Sequence, residues 1–308
     1  MLQDDHGDDA SLVLEVAYRG TVRFERRLAR SSQHTIGPVN LQLPELGLLG
    51  VVVITGGLGG LGLVTAEACV ELGARVVVLV SRSGRVKHAG QDLEAQLEAL
   101  MANTKKPGGA EVVIEKCDVG VEDDVVALLE RVRQNHGGVD GVVHAAGVLD
   151  DKLLTVQDGE SMRRVFGPKA DGAWWLHKHT KDDKLQAFVT FSSVAALFGN
   201  PGQANYAAAN AYLDGLVRWR RSRGLVGTSI QWCGVSGVGM AAAMDARVAI
   251  DSRQTVDGRV AKQVLLQVLS CGSECEAVQS VVPRATLEVG QLPQALRSLV
   301  SEVEIKAV

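Results

Sequence analysis

The sequence predicts an α/β protein: a doubly wound parallel sheet with helices on both faces, plus a small N-terminal β appendage. Three observations carry that prediction. Short β-branched runs recur from residue 51 onward: VVVIT (51–55), ARVVVLV (74–80), EVVIEKC (111–117), VDGVVHAA (139–146), LQAFVTFSS (185–193), TSIQW (228–232) and EAVQSVV (276–282). Segments of helical period separate them, an alternation that calls for parallel strands joined by crossover helices. The runs are also apolar at successive positions, which suits strands buried on both faces. Right-handed crossovers then make a Rossmann arrangement the economical topology.

In chain order, the first ten residues, MLQDDHGDDA, are acidic where a secretory signal would be basic and then apolar. SLVLEVAYRG (11–20) and TVRFERRLAR (21–30) alternate apolar and polar residues and meet at Arg19-Gly20, as a half-buried hairpin would. Residues 31–49, with Gly37-Pro38 and Pro44, read as a linker. The expected division is therefore 1–49 hairpin and linker, 50–285 nucleotide-binding domain, and 286–308 C-terminal helix or tail. ANTKKPGG (102–109) reads as a surface loop, and the Gly/Ala-rich then charged segment 236–258 as a lid or a plain surface insertion.

Composition narrows the function classes. A chain of 308 residues, 46% hydrophobic, buries a large core without disulfides or metal. Its 32 basic and 36 acidic residues give a net charge of -4, no general electrostatic reason to seek nucleic acid or an anionic membrane. Five scattered cysteines suit reduced thiols in a cytoplasmic chain, with import into an organelle left open. Cys271 and Cys275 have no other ligands near them in sequence, so no metal site is expected. The apolar stretch Leu46 to Val64 is broken by glycines into strand, turn and helix, so no membrane span is expected.

Within VVVITGGLGGLGLVTAEACVELGA, Gly57-x-Gly59-x-x-Gly62 follows a strand and opens a helix. Glycine permits the tight turn and close approach to a diphosphate, and the helix start offers unpaired N–H groups and a positive dipole end. The second strand ends in Ser81-Arg82-Ser83-Gly84 rather than in a carboxylate. A guanidinium and hydroxyls suit a 2′-phosphate, which favours NADPH over NADH; a merely solvated Arg82 is the competing reading. Asp118 after the third strand, placed to accept from the adenine amino group, and His144-Ala145-Ala146-Gly147 after the fourth lie at the carboxyl edge, where open α/β sheets bind ligands.

Lys169 in GPKADGAWWL, Ser192-Ser193 at the end of the fifth strand, and Tyr206 with Asn210 one helical turn on complete the pattern. At these residues the chain resembles the short-chain dehydrogenase/reductase superfamily, and within it the ketoreductase domains of type I polyketide synthases and fatty-acid synthases. The resemblance rests on TGGLGGLG, LVSRSG, CDV, HAAGVLDD, the Lys169 segment, FSSVAALFGNPGQANYAAANAYLDGL and SIQWCGVSGVGMA, and covers about residues 50–285. It implies Tyr206 as proton donor, Ser193 as second donor to the reacting oxygen, Lys169 as the cation that lowers the phenol pKa, and Asn210 as holder of a relay water or of the lysine. The superfamily's usual lysine position holds Asn210, and the lysine lies upstream at 169, an exchange similar to the synthase enzymes. The cofactor set it implies is Thr55, Gly57, Leu58, Gly59, Leu61, Gly62, Ser81, Arg82, Ser83, Asp118, Val119, His144, Ala145, Ala146, Gly147, Lys169 and Tyr206.

On the substrate side, Leu149-Asp150-Asp151 resembles the motif of B-type ketoreductases, and Phe198 stands where A-type members carry tryptophan. The resemblance implies a (3R)-3-hydroxyacyl product, with Leu149, Asp151, Phe198, Gln203 and Met240 at the substrate. An Asp-Asp pair after a strand also serves as an ordinary helix cap. The implied partner is an acyl carrier protein bearing a phosphopantetheine-linked β-ketoacyl chain, with other synthase domains alongside. A discrete reductase of a free ketone and a non-catalytic nucleotide sensor are the competing classes. The family usually carries a structural subdomain before the catalytic one; the hairpin in residues 1–49 is then its remnant, or the chain is cut from a longer polypeptide. The basic run Arg218 to Arg223 suits either a helix C-terminus or docking of an acidic carrier.

Overall fold

A computed structural model of the chain describes residues 16–19, 22–25, 50–86, 92–104, 109–237, 255–271 and 275–281. The linker 31–49, the tail 286–308, Met240 and most of the expected lid lie outside the described residues. Two compact units are present: Val39–Val282, and Met1–Pro38 with Pro283–Val308. In the second of these, β1 (Val16–Arg19) and β2 (Val22–Glu25) pair antiparallel, Arg19 opposite Val22, as the alternation predicts.

The larger unit holds seven parallel strands: β3 (Val51–Thr55), β4 (Val76–Ser81), β5 (Glu111–Lys116), β6 (Gly141–His144), β7 (Ala187–Ser193), β8 (Thr228–Trp232) and β11 (Val278–Ser280). Their order across the sheet is β11-β8-β7-β6-β3-β4-β5, every pairing parallel. Each expected run supplies one strand. Because the chain leaves β3 in one direction and returns to its other side at β6, the sheet reverses winding between them. Their carboxyl ends open a crevice there.

Side-chain alternation explains why the runs are apolar throughout. In β3, Val52 and Ile54 enter one core and Val51 and Val53 the other. The first core is covered by α1 (Gly60–Glu71), α2 (Leu93–Thr104) and α8 (Gly258–Cys271), the last through Val264, Leu265 and Val268. The second is covered by α3 (Glu122–His136) through Val125, Leu128, Leu129 and Val132, and by Leu176 of α5 (Gly172–Thr180). Helix α3 carries Glu122, Asp123 and Asp124 in its first turn, Arg133 and His136 in its last, and stops at left-handed Gly137, charges and cap that each favour its ends.

Two local features depart from the expectation. Helix α2 continues through Ala102–Thr104, where the composition suggests a loop, since Ala, Asn and Thr there simply complete its last turn. A two-residue parallel bridge joins β9 (Gly234–Val235) to β10 (Thr255–Val256), Gly234 opposite Thr255 and Val235 opposite Val256. Three further helices, α4 (Gly159–Phe166), α6 (Ala195–Phe198) and α7 (Ala204–Ser222), carry the chain around the carboxyl edge.

Candidate active site

The glycine turn sits directly on the crevice. Gly56 has φ +68, and a Cβ there would come within 2.8 Å of Ala145 O; one on Gly57 would come within 2.7 Å of Ile54 O. A Cβ on Gly62 would collide with Gly56 O and lie 2.7 Å from Gly57 Cα, so this glycine lets α1 close onto the turn. Gly59 differs. It is the extended N-cap of α1, and its added Cβ would meet only Gly56 O, at 3.3 Å. Apart from that contact the Cβ position faces open space at the start of α1, the end of a helix whose first amides lack intrahelical partners and can take an anion. Leu58 is buried in the core and offers only its backbone, while Leu61 is partly packed against the same core.

The β4 edge is cationic. Ser81 Oγ accepts from Gly84 N at 3.0 Å, and Ser83 Oγ donates to Arg85 O at 3.2 Å, which shapes a turn with Arg82 exposed on it. Gly84, at φ +67, lets the stem of Lys116 lie across the turn, where a Cβ would stand 2.9 Å from Lys116 Cε. Lys116 was not marked by the sequence; its register with Ser81 was the available signal. Asp118 Oδ1 accepts from Gly120 N at 3.0 Å, and the Val119 side chain is buried in the second core.

At the crevice floor, register partners Thr55 and His144 bond through Thr55 Oγ1 and His144 Nδ1 at 2.7 Å, and His144 Nε2 lies 2.9 Å from Lys169 O. Burial pushes the imidazole down to about 4, so it is neutral and joins two strands to the lysine segment. Ala145 and Ala146 pack into the two cores. A Cβ at Gly147 would lie 2.9 Å from Lys169 Cε, so glycine makes room for the lysine.

Lys169 lies on a π-helical turn, Gly167–Asp171, between α4 and α5. Its buried Nζ donates to Phe191 O and Asn210 Oδ1, both at 2.8 Å, and stands 5.1 Å from the centroid of the Tyr206 ring. Desolvation pulls the ammonium down to about 7, opposed by the negative charge of Asp214. Tyr206, in the first turn of α7, is pushed above its ordinary value by desolvation, against hydrogen bonding from Asn210 and Ser193. Asn210 Nδ2 donates to Tyr206 O at 2.8 Å. The neighbouring serines diverge. Ser192 Oγ is buried and donates to Asn210 O at 3.2 Å, whereas Ser193 Oγ accepts from Ala195 N at 3.1 Å on the Tyr206 side. Tyr206, Ser193, Lys169 and Asn210 are thus brought together beside the glycine turn.

At the mouth, Gln203 Nε2 donates to Asp151 Oδ2 at 3.0 Å and Lys152 N to Gly202 O at 2.9 Å, which ties the Leu149-Asp150-Asp151 loop to the start of α7. Asn205, which sequence reasoning missed, donates to Asp150 O at 2.9 Å and accepts from Tyr206 N at 2.7 Å. The cap of α4 is Asp158, bonded to Ser161 N at 2.6 Å, and not the Asp150-Asp151 pair. Leu149 and Phe198 are half-buried. At the far end of α7, Arg220 is buried, bonded to Val226 O at 3.0 Å and to His177 Nδ1, and Arg221 bonds the Gly227 carbonyl. Those two side chains close the helix end, while Arg218 and Arg223 of the same run are exposed. Among the described residues there is no cluster able to hold a metal and no helix long and apolar enough to cross a membrane.

A family model described as "KR domain" matches residues 50–237. Among curated proteins, a phenolphthiocerol/phthiocerol polyketide synthase of Mycobacterium tuberculosis is 37% identical over 294 residues, covering 95% of this chain and 14% of that protein. Polyketide synthase GfsB of Streptomyces halstedii is 44% identical over 199 residues, covering 64% of this chain and 3% of that protein. The chain therefore spans a small part of the curated relatives it matches. Among solved structures, one of A-type ketoreductases from a modular polyketide synthase superposes with a TM-score of 0.73 at 30% identity, covering 93% of this chain and 59% of that one.

Proposed function

The chain belongs to the KR family, the ketoreductase domains of polyketide synthases, and from that premise we propose that it reduces a carrier-bound β-ketoacyl thioester to the (3R)-3-hydroxyacyl thioester with NADPH. The observation that carries this reading is the convergence of Tyr206, Ser193, Lys169 and Asn210 beside a glycine turn shaped for a diphosphate.

The residues fit a nicotinamide cofactor. Gly57, Gly59 and Gly62, with the backbone of Leu58 and Leu61, would hold the diphosphate; Thr55 and His144 to Gly147 would form the floor. Asp118 and Val119 would border the adenine, and Ser81, Arg82 and Ser83 would take the 2′-phosphate, since no carboxylate repels it there. Bound in that groove, the cofactor supplies the hydride.

What this chain's residues do follows from charge. Reduction of a ketone builds negative charge on oxygen, which must be hydrogen-bonded and then protonated. Tyr206, kept protonated by its surroundings, donates the proton, and Ser193 donates the second hydrogen bond. The phenolate left on Tyr206 needs a cation nearby, and the Lys169 ammonium lies next to its ring. Asn210 holds that ammonium in place.

The hand of the product rests on the mouth. Asp151, tied to Gln203, and Leu149 border one side, and Phe198 stands at the end of α6. Met240 completes the substrate set and lies outside the described residues. A carrier-bound substrate is favoured over a free ketone because the chain matches short stretches of long synthases. The test is incubation with NADPH and a β-ketoacyl carrier protein, followed by chiral analysis. A 3R product is expected. A 3S product would overturn the stereochemical part, and absence of NADPH oxidation the whole.

A further inference from the structure

One buried carboxylate close behind the site has no part in the chemistry above. Asp214 lies on α7, one turn past Asn210 and two past Tyr206, the four-residue spacing that keeps all three on one helical face. It is 3% exposed, and both its oxygens accept: Ser229 Oγ donates to Oδ1 and Gln231 Nε2 to Oδ2, each at 2.6 Å. Two donors and no donated hydrogen bond is the pattern of an ionised carboxylate. No cation forms a contact ion pair with it among the described residues. Strand register sets this network against the lysine. Gln231 pairs with Ser192, whose Oγ bonds the Asn210 carbonyl, and the next residue back along β7, Phe191, supplies the carbonyl that takes Lys169 Nζ.

We propose that Asp214 is a positioning residue for the reduction, the fixed negative charge behind the site that keeps Lys169 an ammonium while Tyr206 gives up its proton. The inference rests on the ketoreductase reading and adds a residue to it. Both direct acceptors of Lys169 Nζ, Phe191 O and Asn210 Oδ1, are neutral and leave its charge uncompensated. The other titratable groups about the lysine are neutral His144 from β6, the Tyr206 phenol on α7, Asp171 on the lysine's own π-turn, and Asp151 at the solvent-facing mouth. Burial alone would strip the ammonium of its proton, and Asp214 is the charge that opposes this.

A purely structural role predicts something different from an electrostatic one. Asparagine at 214 keeps the volume and, with the Gln231 amide turned over, both hydrogen bonds; the Ser280 hydroxyl, now a donor to Gln231 Oε1, can accept instead. Only the charge is lost. In protein labelled with 13C at lysine, with the Lys169 signal assigned by its loss in Lys169→Arg, Asp214→Asn is expected to lower the Lys169 titration midpoint by about one pH unit. Asp214→Glu, which keeps the charge, is expected to leave the midpoint near that of the parent. If Asp214→Asn does not fold, Asp214→Ser removes the same charge and takes its place. The alkaline limb of NADPH-dependent reduction should move with the midpoint, lowering the rate roughly tenfold on that limb and sparing the acid plateau. An unchanged midpoint in the uncharged variants, or an equal fall in Asp214→Glu, would overturn the proposal. Because the titration needs no turnover, a parent protein that reduces no thioester would sink the ketoreductase reading alone.

Discussion

At the level of single side chains, burial drives Lys169 and Tyr206 in opposite directions, the ammonium down to about 7 and the phenol upward. The competent pair for reduction is a neutral phenol beside a charged lysine. Below the lysine's pKa both conditions hold. As pH rises through about 7 the lysine discharges while the phenol stays protonated, so the reduction rate should fall. A kcat profile that instead rises through this region would assign the limb to another group. At the β4 edge, Arg82→Asp should weaken NADPH binding by more than the about 1.5–3 kcal/mol of one lost charge-assisted hydrogen bond, since the new carboxylate also repels the 2′-phosphate, and should not weaken NADH. Dissociation constants for both cofactors check it; equal change in both would remove Arg82 from 2′-phosphate recognition. The residues hardest to read from sequence are those whose polarity is turned inward. Asn205 and Asp214 sit in an alanine-rich helix, and Arg220 in what looks like a solvated basic run, yet all three are buried and bonded. The partners that bury them include Asp150 O, His177, Ser229 and Gln231, each 15 or more residues away in the chain, which no local pattern records.

Among the elements, the turn from β3 to α1 separates two duties of glycine. Gly62→Ala pushes a methyl against Gly56 O and Gly57 Cα, so overpacking of about 1–3 kcal/mol should lower the melting temperature. Gly59→Ala meets little protein and should melt close to the parent while binding NADPH more weakly. Thermal melts set beside binding titrations decide it, and the opposite order would contradict the assignment. The inner strands were legible because burial on both faces, complete in β3 and β6, demands short β-branched runs, while the edge strands β5 and β11 keep the pattern though partly exposed. The π-turn under Lys169 was not, since GPKADG reads equally as a break between helices; the widened turn is held by tertiary contacts such as His144 Nε2 with Lys169 O. Nor did two-residue runs announce the β9–β10 bridge, because their pairing partner lies beyond segment 238–254.

Across the whole molecule, the reversal of winding between β3 and β6 places the glycine turn and the β4 edge on one wing and the Lys169–Tyr206 group on the other. The fold alone would serve many chemistries; the side chains at the crevice narrow it. Helix α7 joins the site to a distant surface, with Arg220 about 21 Å along the axis from Tyr206 at 1.5 Å per residue. Of the basic run, Arg220 and Arg221 are bonded internally, which leaves the exposed Arg218 and Arg223 as the cations a carrier would meet there. Asp151 and Gln203, bonded to each other, lie nearer to Tyr206 than the far end of α7 does. In a single-turnover reduction of a β-ketoacyl carrier protein with NADPH, Tyr206→Phe is predicted to slow the reaction by about 10²–10⁴-fold while its NADPH dissociation constant stays within about twofold. A variant that binds NADPH normally and still turns over near the parent rate would contradict the central claim.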